Sequence, residues 1–484
     1  MNHAYRVALF VLGASCTLLN GCRSYPERMK SLKRDIDVNA EGSARLAYTV
    51  EDLDGRNRLL ALQESGRLAY LQGDYRASAD FYQQAMAFTQ DLEDRAVVQV
   101  REVAKKTLAS TYGNDLAIDY PVIGFENMML HVSDAFARLA IGDDDGFGVD
   151  VRNIVRSREL AKSSRQTTRQ ALVDSIAEKT RKEIAEDESY KELLDDALAV
   201  SAGVQDSTDN AYALYLAGLY YEMKRDWSNA ERCYSQVARL VPANAFAAND
   251  AAWMRQGGRK GDGYGTVVIF FEDGYVPEKR HRRTEYNIHT ITSCIIDIPY
   301  YDNADLDSRY DFEPLYVGMG GKRVAVTSPL ADLGMLAAKA HAERMDGILL
   351  RQASRTTIKA MTRAAFGALM WLGGLSAARS NNSSDNRAAM LMFAVGVTGY
   401  VGMGIVNSTT ERADQRSWLL LPRTAHMTRF KLRPGKKTLD LMAGEKTIKV
   451  EVEVKAGKTT IVHCLSVPGE MRAFARCVEY GWCP

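Results

Sequence analysis

No signature of catalysis is present in this chain of 484 residues. It has neither a G-x-S-x-G elbow nor an H-E-x-x-H helix, and Gly320-Gly321-Lys322 lacks the upstream glycine and the following Ser or Thr of a phosphate loop. The histidines after the leader, His131, His281, His289, His341, His426 and His463, are scattered without ligand spacing. Cysteine is scarce: beyond Cys16 and Cys22 there are Cys233, Cys294, Cys464, Cys477 and Cys483, with no C-x-x-C or Cys/His zinc spacing. Cys477 and Cys483 are near enough to pair as a disulfide, and buried thiols are the equal alternative. An excess of one charge is missing too. Against 62 Lys plus Arg stand 61 Asp plus Glu, so no net field draws the chain to nucleic acid. The expectation is a non-enzymatic protein with no cofactor, no metal and no nucleic-acid partner. What remains is ordinary globular material, 46% hydrophobic and 25% charged, long enough for several domains.

The start of the chain has a secretory texture. Arg6 precedes an apolar stretch from Val7 to about Leu19, too short to span a bilayer, and Leu19-Asn20-Gly21-Cys22 closes it. Apolar-x-small-Cys is the pattern cut by the lipoprotein signal peptidase, which needs a thiol at the first mature position. Cys22 is therefore the expected lipidation site and 1–21 the signal peptide, with acyl chains holding the protein to a membrane. Arg23 rather than Asp follows, which by resemblance to lipoprotein sorting in double-membrane bacteria implies an outer-membrane anchor facing the periplasm. Residues 22–57 read as a tether and the start of a helical region.

From Arg58 to Trp253 apolar residues recur at helical spacing with very few prolines, which predicts a helical domain over 58–255. Gly218, Tyr221, Asp226, Trp227, Ala230, Tyr234 and Pro242 stand at the spacing of a tetratricopeptide repeat, as do Gly66, Gly73, Asp74, Tyr75, Tyr82 and Ala85 in an earlier stretch. Between them Leu160, Leu172, Val173, Ile176, Ile184, Leu193, Leu194 and Leu198 mark further amphipathic helices. Units of this kind present a groove that holds a peptide or helix of another protein. The alternative is that these helices pack onto the rest of the same chain.

Gly-rich residues at 256–265 open a mixed α/β segment over 256–360, with strands expected at Thr266–Phe271, Ile291–Tyr300 and Arg323–Val326 and a helix at Leu330–Met345. The basic run Lys279-Arg280-His281-Arg282-Arg283 reads as a solvated loop. An apolar pair follows within 361–410. Ala364 to Ala378 and Ala388 to Val406 contain no charge and flank a polar turn from Arg379 to Arg387. At 1.5 Å per residue the arms reach roughly 22 and 28 Å against a hydrocarbon core of about 30 Å. A helical hairpin is the natural form, inserted in a membrane, lining a homo-oligomer, or folded down as a core. After it, Phe430, Leu432, Leu439, Leu441, Ile448, Val450, Val452 and Val454 alternate between turns, which predicts a small antiparallel β-sandwich within 411–484. The fold class expected is thus α+β and multidomain.

Glu272-Asp273-Gly274-Tyr275-Val276-Pro277-Glu278-Lys279 resembles E-x-G-x-x-P-x-K, and Asp414-Gln415-Arg416-Ser417-Trp418-Leu419-Leu420-Leu421-Pro422 resembles D-x-R-S-W-x-x-L-P. Both are motifs of a family of uncharacterised bacterial tetratricopeptide-containing lipoproteins, and Asp150-Val151-Arg152 resembles that family's acidic-x-Arg stretch. The resemblance implies an envelope protein partner, with a connection to peptidoglycan synthesis through neighbouring lipoproteins. It supplies no catalytic residues. Asp414, Arg416 and Trp418 read as a salt-bridge and packing corner. The function expected is a lipid-anchored scaffold that holds a partner in its helical groove, with a homo-oligomeric or membrane-inserting assembly built through the hairpin as the alternative and a cell-wall enzyme of unrecognised type, its site assembled from distant residues, as a further one.

Overall fold

The structure is a computed structural model that describes residues 24–38, 55–98, 115–175, 178, 182, 186, 188–258, 263–288, 292–306, 313–379 and 383–479. Cys22, Cys483 and His289 lie outside the described residues. The architecture is mixed α/β, with helices toward the N-terminus and strands toward the C-terminus.

Helix α1 (Tyr25–Val38) is followed by α2 (Arg58–Leu71), α3 (Tyr75–Val98), α4 (Gly124–Ile141), α5 (Asp144–Ser175), α6 (Glu188–Val200), α7 (Ala211–Met223), α8 (Trp227–Leu240) and α9 (Ala245–Arg255). Short polar side chains start several of them. Asn210 accepts from Tyr212 N and Ala213 N, Asp226 from Asn229 N, and Asn244 from Phe246 N, which satisfies amides a helix start leaves open. Gly142, at φ 82°, ends α4 in the left-handed conformation that glycine adopts without strain. Helix α2 is buried from Leu59 through Leu71 and α7 from Ala211 through Tyr220, so neither has a wet face. They form an inner layer.

That layer lies on a five-stranded sheet of order β11-β10-β1-β7-β6, built from β1 (Gly265–Asp273), β6 (Ser328–Asp332), β7 (Thr424–Leu432), β10 (Thr459–Val467) and β11 (Glu470–Val478). β1 runs parallel to β10 and antiparallel to β7, with Phe270 opposite His463 and Met427. Alternate residues of β1 face opposite ways, as strand geometry requires. Val268 and Phe270 join the helical core, while Val267, Ile269 and Phe271 join a second core against a four-stranded sheet of order β5-β4-β8-β9. This second sheet holds β4 (Tyr316–Met319), β5 (Lys322–Val326), β8 (Gly435–Ala443) and β9 (Lys446–Val454).

Both sheets draw strands from 256–360 and from 411–484, stretches the sequence reading separates. The expected purely antiparallel C-terminal module is therefore corrected: β1 enters it in parallel with β10, because a strand apolar on both faces belongs at a sheet centre. The basic run is also corrected from loop to strand. Arg280 to Ile288 form β2, paired with β3 (Thr292–Tyr300), and Arg280 is neutralised by Asp302 and Asp305. After the short α10 (Asn303–Leu306), the helix expected at Leu330 begins at Leu333, preceded by β6, and does not stop near Met345. It runs unbroken to Arg379 as α11, about 70 Å at 1.5 Å per residue, and α12 (Ser383–Thr410) returns along it. No boundary exists at 360/361.

Candidate functional site

Small residues bring the outer and inner helices together. A Cβ on Gly66 would lie 2.4 Å from the Tyr82 ring, and one on Gly218 would lie 2.7 Å from the Tyr234 ring, so at both positions only glycine lets the aromatic close the gap. Ala85 and Ala230 are buried behind them. Gly73 turns the chain at φ 81° into Tyr75, whose ring meets Tyr70 and Phe474 edge-on. Tyr221 packs edge-on against Tyr220, and Pro242 is exposed just beyond α8. The inner faces of α2, α4 and α7 are covered. Tyr70, Phe136, Tyr212 and Tyr215 pack on Phe270 and His463 of the sheet, so a partner held in this groove would have to displace the protein's own β1 and β10.

The motif residues meet at that helix-on-sheet seam. Arg67 Nη2 donates to Glu272 Oε2 at 2.6 Å and Tyr212 OH to Glu272 Oε1 at 2.8 Å, with His463 Nε2 at 3.4 Å from the same carboxylate. Burial works to raise the Glu272 carboxyl, and Arg67 and His463 outweigh it, holding it well below the ordinary carboxylate range. Gly274, at φ 66°, donates its amide to Ser466 O, and Pro277 closes on Gly334. Lys279 Nζ donates to Arg416 O at 2.6 Å, joining the first motif to the second. Burial lowers this ammonium to about 8. Arg416 forks onto Asp414 at 2.8 Å and donates to Asp115 O, Ile118 O and Asn57 Oδ1. Trp418 N donates to Glu126, Leu419 N and Leu420 N donate to Glu64, and Pro422 is buried beyond them. Arg67, Glu272 and His463 are 2%, 2% and 1% exposed. A solute cannot reach them, so this network orders the seam and offers no open reaction centre.

Helix α1 is docked rather than slack. Met29, Leu32 and Ile36 are buried in the main core, Tyr25 OH donates to Glu64 at 2.7 Å, and Lys30 and Lys33 face Glu278. Of the further amphipathic positions, Leu193 and Leu194 pack toward α11, while Leu160 and Leu198 are exposed.

The sequence reading missed the root of the hairpin. Arg355 donates to Asp115 at 2.5 Å, and Lys359 Nζ donates to Glu411 at 2.5 Å, all four side chains buried. Arg351, Arg355 and Lys359 recur every four residues and place their cations on one helix face just before the charge-poor arm, a spacing that could have drawn attention to them but does not reveal that they are buried. Above this root the hairpin closes tightly. A Cβ on Gly396 would be 2.3 Å from Met370 N, on Gly373 2.5 Å from Phe393 N, and on Gly399 2.2 Å from the Phe366 ring. Small residues let two apolar helices touch backbone to backbone. The sides turned outward stay apolar: Trp371 is 65% exposed, Leu391 66% and Met390 62%, with Met361, Leu372, Phe393, Val395 and Val401 also exposed. The stretch Asn386–Gly404 is long and apolar enough to cross a membrane, and only 11% of it is buried within the protein.

A cavity of about 370 Å³ lies between α6, the β2–β3 pair and α11, lined by Leu193, Val200, Arg282, Tyr301 and His341 among others. Burial holds His341 neutral, at about 3, and its Nε2 is 2.8 Å from Pro299 O. Cys477 lies on β11, and the proposed pairing with Cys483 falls outside the described residues. Comparison of the chain with protein-family models, with curated proteins and with solved structures finds no match.

Proposed function

We propose that the protein is a non-enzymatic structural component of the bacterial envelope, anchored by lipid at Cys22 to the outer membrane on its periplasmic side, with the hairpin of α11 and α12 as its working surface. In this reading the Gly66–Tyr82 and Gly218–Tyr234 pairs are tetratricopeptide-like units turned inward, and the two facing sheets are a sandwich built around β1. The family resemblance of the two motifs belongs to the same reading, since their residues lie in the seam that fixes helices to sheet.

One observation carries it. The inner groove of the helices is filled by the chain's own strands, whereas among the described residues the hairpin turns large apolar side chains outward, left exposed by the rest of the protein. Contiguous exposed apolar surface of this kind marks a contact with a partner or a membrane. A photo-crosslinking residue placed at Leu391, and in parallel at exposed Arg239 on α8, tests the reading in intact envelopes. Adducts from position 391, whether to lipid, to a second copy or to another protein, are the expected result. Adducts from position 239 alone would return the function to the outer surface of the helices.

A further inference from the structure

We infer that the occupant of the hairpin surface is a phospholipid bilayer, which the hairpin crosses with its polar turn on the far side; this rests on the reading of the hairpin as the working surface. The first argument is the lack of a wet face. Between Ala364 and Ala378 the only polar side chain is Ser376, and between Ala388 and Val406 Thr398 is the only one besides the Tyr400 hydroxyl. Thr398 Oγ1 donates to Ala394 O within its own helix, so that hydroxyl needs no water. Hairpins that only bundled with copies of themselves in water would keep a polar outer stripe, and a helix apolar all round is one enclosed by protein or by lipid. Among the described residues nothing encloses its outward side.

The second argument is height. Gly404 faces Arg363, Gly399 faces Phe366, Gly396 faces Met370 and Gly373 faces Phe393, so the arms run antiparallel in register and Arg379 and Arg387 share the tip. The exposed apolar belt runs from Met361 to Ala378, roughly 26 Å at 1.5 Å per residue, close to the roughly 30 Å of a hydrocarbon core. Arg363 is the one charge inside it, near the root, with its guanidinium 4.3 Å over the Tyr400 ring. Insertion to half depth is disfavoured by the tip, because exposed Arg387 would then lie at the apolar centre.

The third argument is position. Helix α1 begins three residues after Cys22 and reaches the hairpin root through one continuous polar corner: Lys30 and Lys33 to Glu278, Lys279 to Arg416, Arg416 to Asp115, Asp115 to Arg355. Helix α1 is thereby tied to the hairpin root, so an acyl chain on Cys22 would add a second hold on the same membrane.

The test uses the chain from Arg23 onward, so that neither leader nor acyl chain contributes, reconstituted from detergent with vesicles of phosphatidylethanolamine and phosphatidylglycerol at 3:1. The chain is expected to float with the vesicles, and lipids brominated near mid-chain to quench a Trp signal that Trp371→Phe removes without loss of flotation. Leu391→Glu with Val395→Glu is expected to weaken flotation by about a hundredfold or more, since each charge within the apolar layer opposes insertion. Should those substitutions unfold the chain, the Trp371 quenching still decides. A chain that does not float and sediments as a closed oligomer with Trp371 shielded overturns the bilayer and leaves the hairpin as working surface. A soluble monomer that neither floats nor associates overturns both.

Discussion

Along α11 the two halves follow opposite rules. From Leu333 to Ala360 the helix is packed in the body, and two of its charges are buried on partners, Arg355 on Asp115 and Lys359 on Glu411. From Met361 to Ala378 it carries one charge, Arg363, and its large apolar side chains stand open. Polar groups inside and apolar groups outside invert the usual soluble pattern on either side of Ala360. The inversion has a physical use. Buried ion pairs add little net stability over apolar packing but break expensively, so they fix a geometry. The root therefore holds the hairpin at one angle to the body, while the hairpin itself is built for a medium other than water.

The sharpest way to break this comparison is to orphan a buried charge at the seam. Glu272→Ala leaves Arg67 without its carboxylate at 2% exposure, and a loss of about 3–5 kcal/mol in unfolding free energy is expected. Arg67→Leu combined with Glu272→Leu should recover much of it, because neither charge is then left alone. Denaturant titration of the three chains measures both steps. A Glu272→Ala chain as stable as the parent would mean that the seam is wet.

Acidity separates the regions next. Burial raises the Glu64 carboxyl to about 7, with the bonds from Tyr25 OH and the Leu419 amide only partly opposing it. The folded state thus binds this proton more tightly than the unfolded chain, whose value is the ordinary 4.5. Its contribution is full below about 4.5 and is lost as pH rises to about 7. At about 1.4 kcal/mol per pH unit the whole interval is worth on the order of 3 kcal/mol. Glu64→Gln should remove that slope, so melting of parent and variant compared from pH 5 to pH 8 should diverge up to about pH 7 and level off above it. Parallel curves would show that Glu64 stays ionised in the fold.

Much of this was legible in the sequence, and the illegible part has a common cause. The Gly66–Tyr82 and Gly218–Tyr234 spacings marked real helix contacts, the alternation from Phe430 to Val454 marked β7 to β9, and the lack of charge marked the hairpin. Each is a local pattern within one or two elements. The order β11-β10-β1-β7-β6 was not, because β1 is apolar on both faces and pairs with β10 far along the chain. Lys359, Asp115 and Glu411 were invisible for a related reason. A charge read in one dimension looks solvated, and only its partner from a distant segment shows it buried.

Glycine substitutions sharpen the comparison at smaller scale. Gly218→Val drives a methyl into the buried Tyr234 ring, and overpacking of this kind costs about 1–3 kcal/mol of global stability. Gly396→Val meets the Met370 backbone at a closer approach, 2.3 Å, yet the parting of α12 from α11 should leave the melting of the body where it was. Calorimetry that shows equal losses for both would make the hairpin part of one cooperative unit with the seam.

The smallest effect expected on stability is at the most conspicuous residues. Leu391→Ser with Trp371→Ser exchanges apolar for polar surface at side chains 66% and 65% exposed, so in detergent-free buffer the unfolding free energy should change by no more than about 0.5 kcal/mol. A core position of the same size would lose several times that, since a buried Leu truncated to a small residue costs about 2–5 kcal/mol. The measured value therefore reports directly whether these side chains contact the rest of the protein. A loss above about 2 kcal/mol would mean that the hairpin folds back onto the body, and the apolar arm would then be core rather than contact surface.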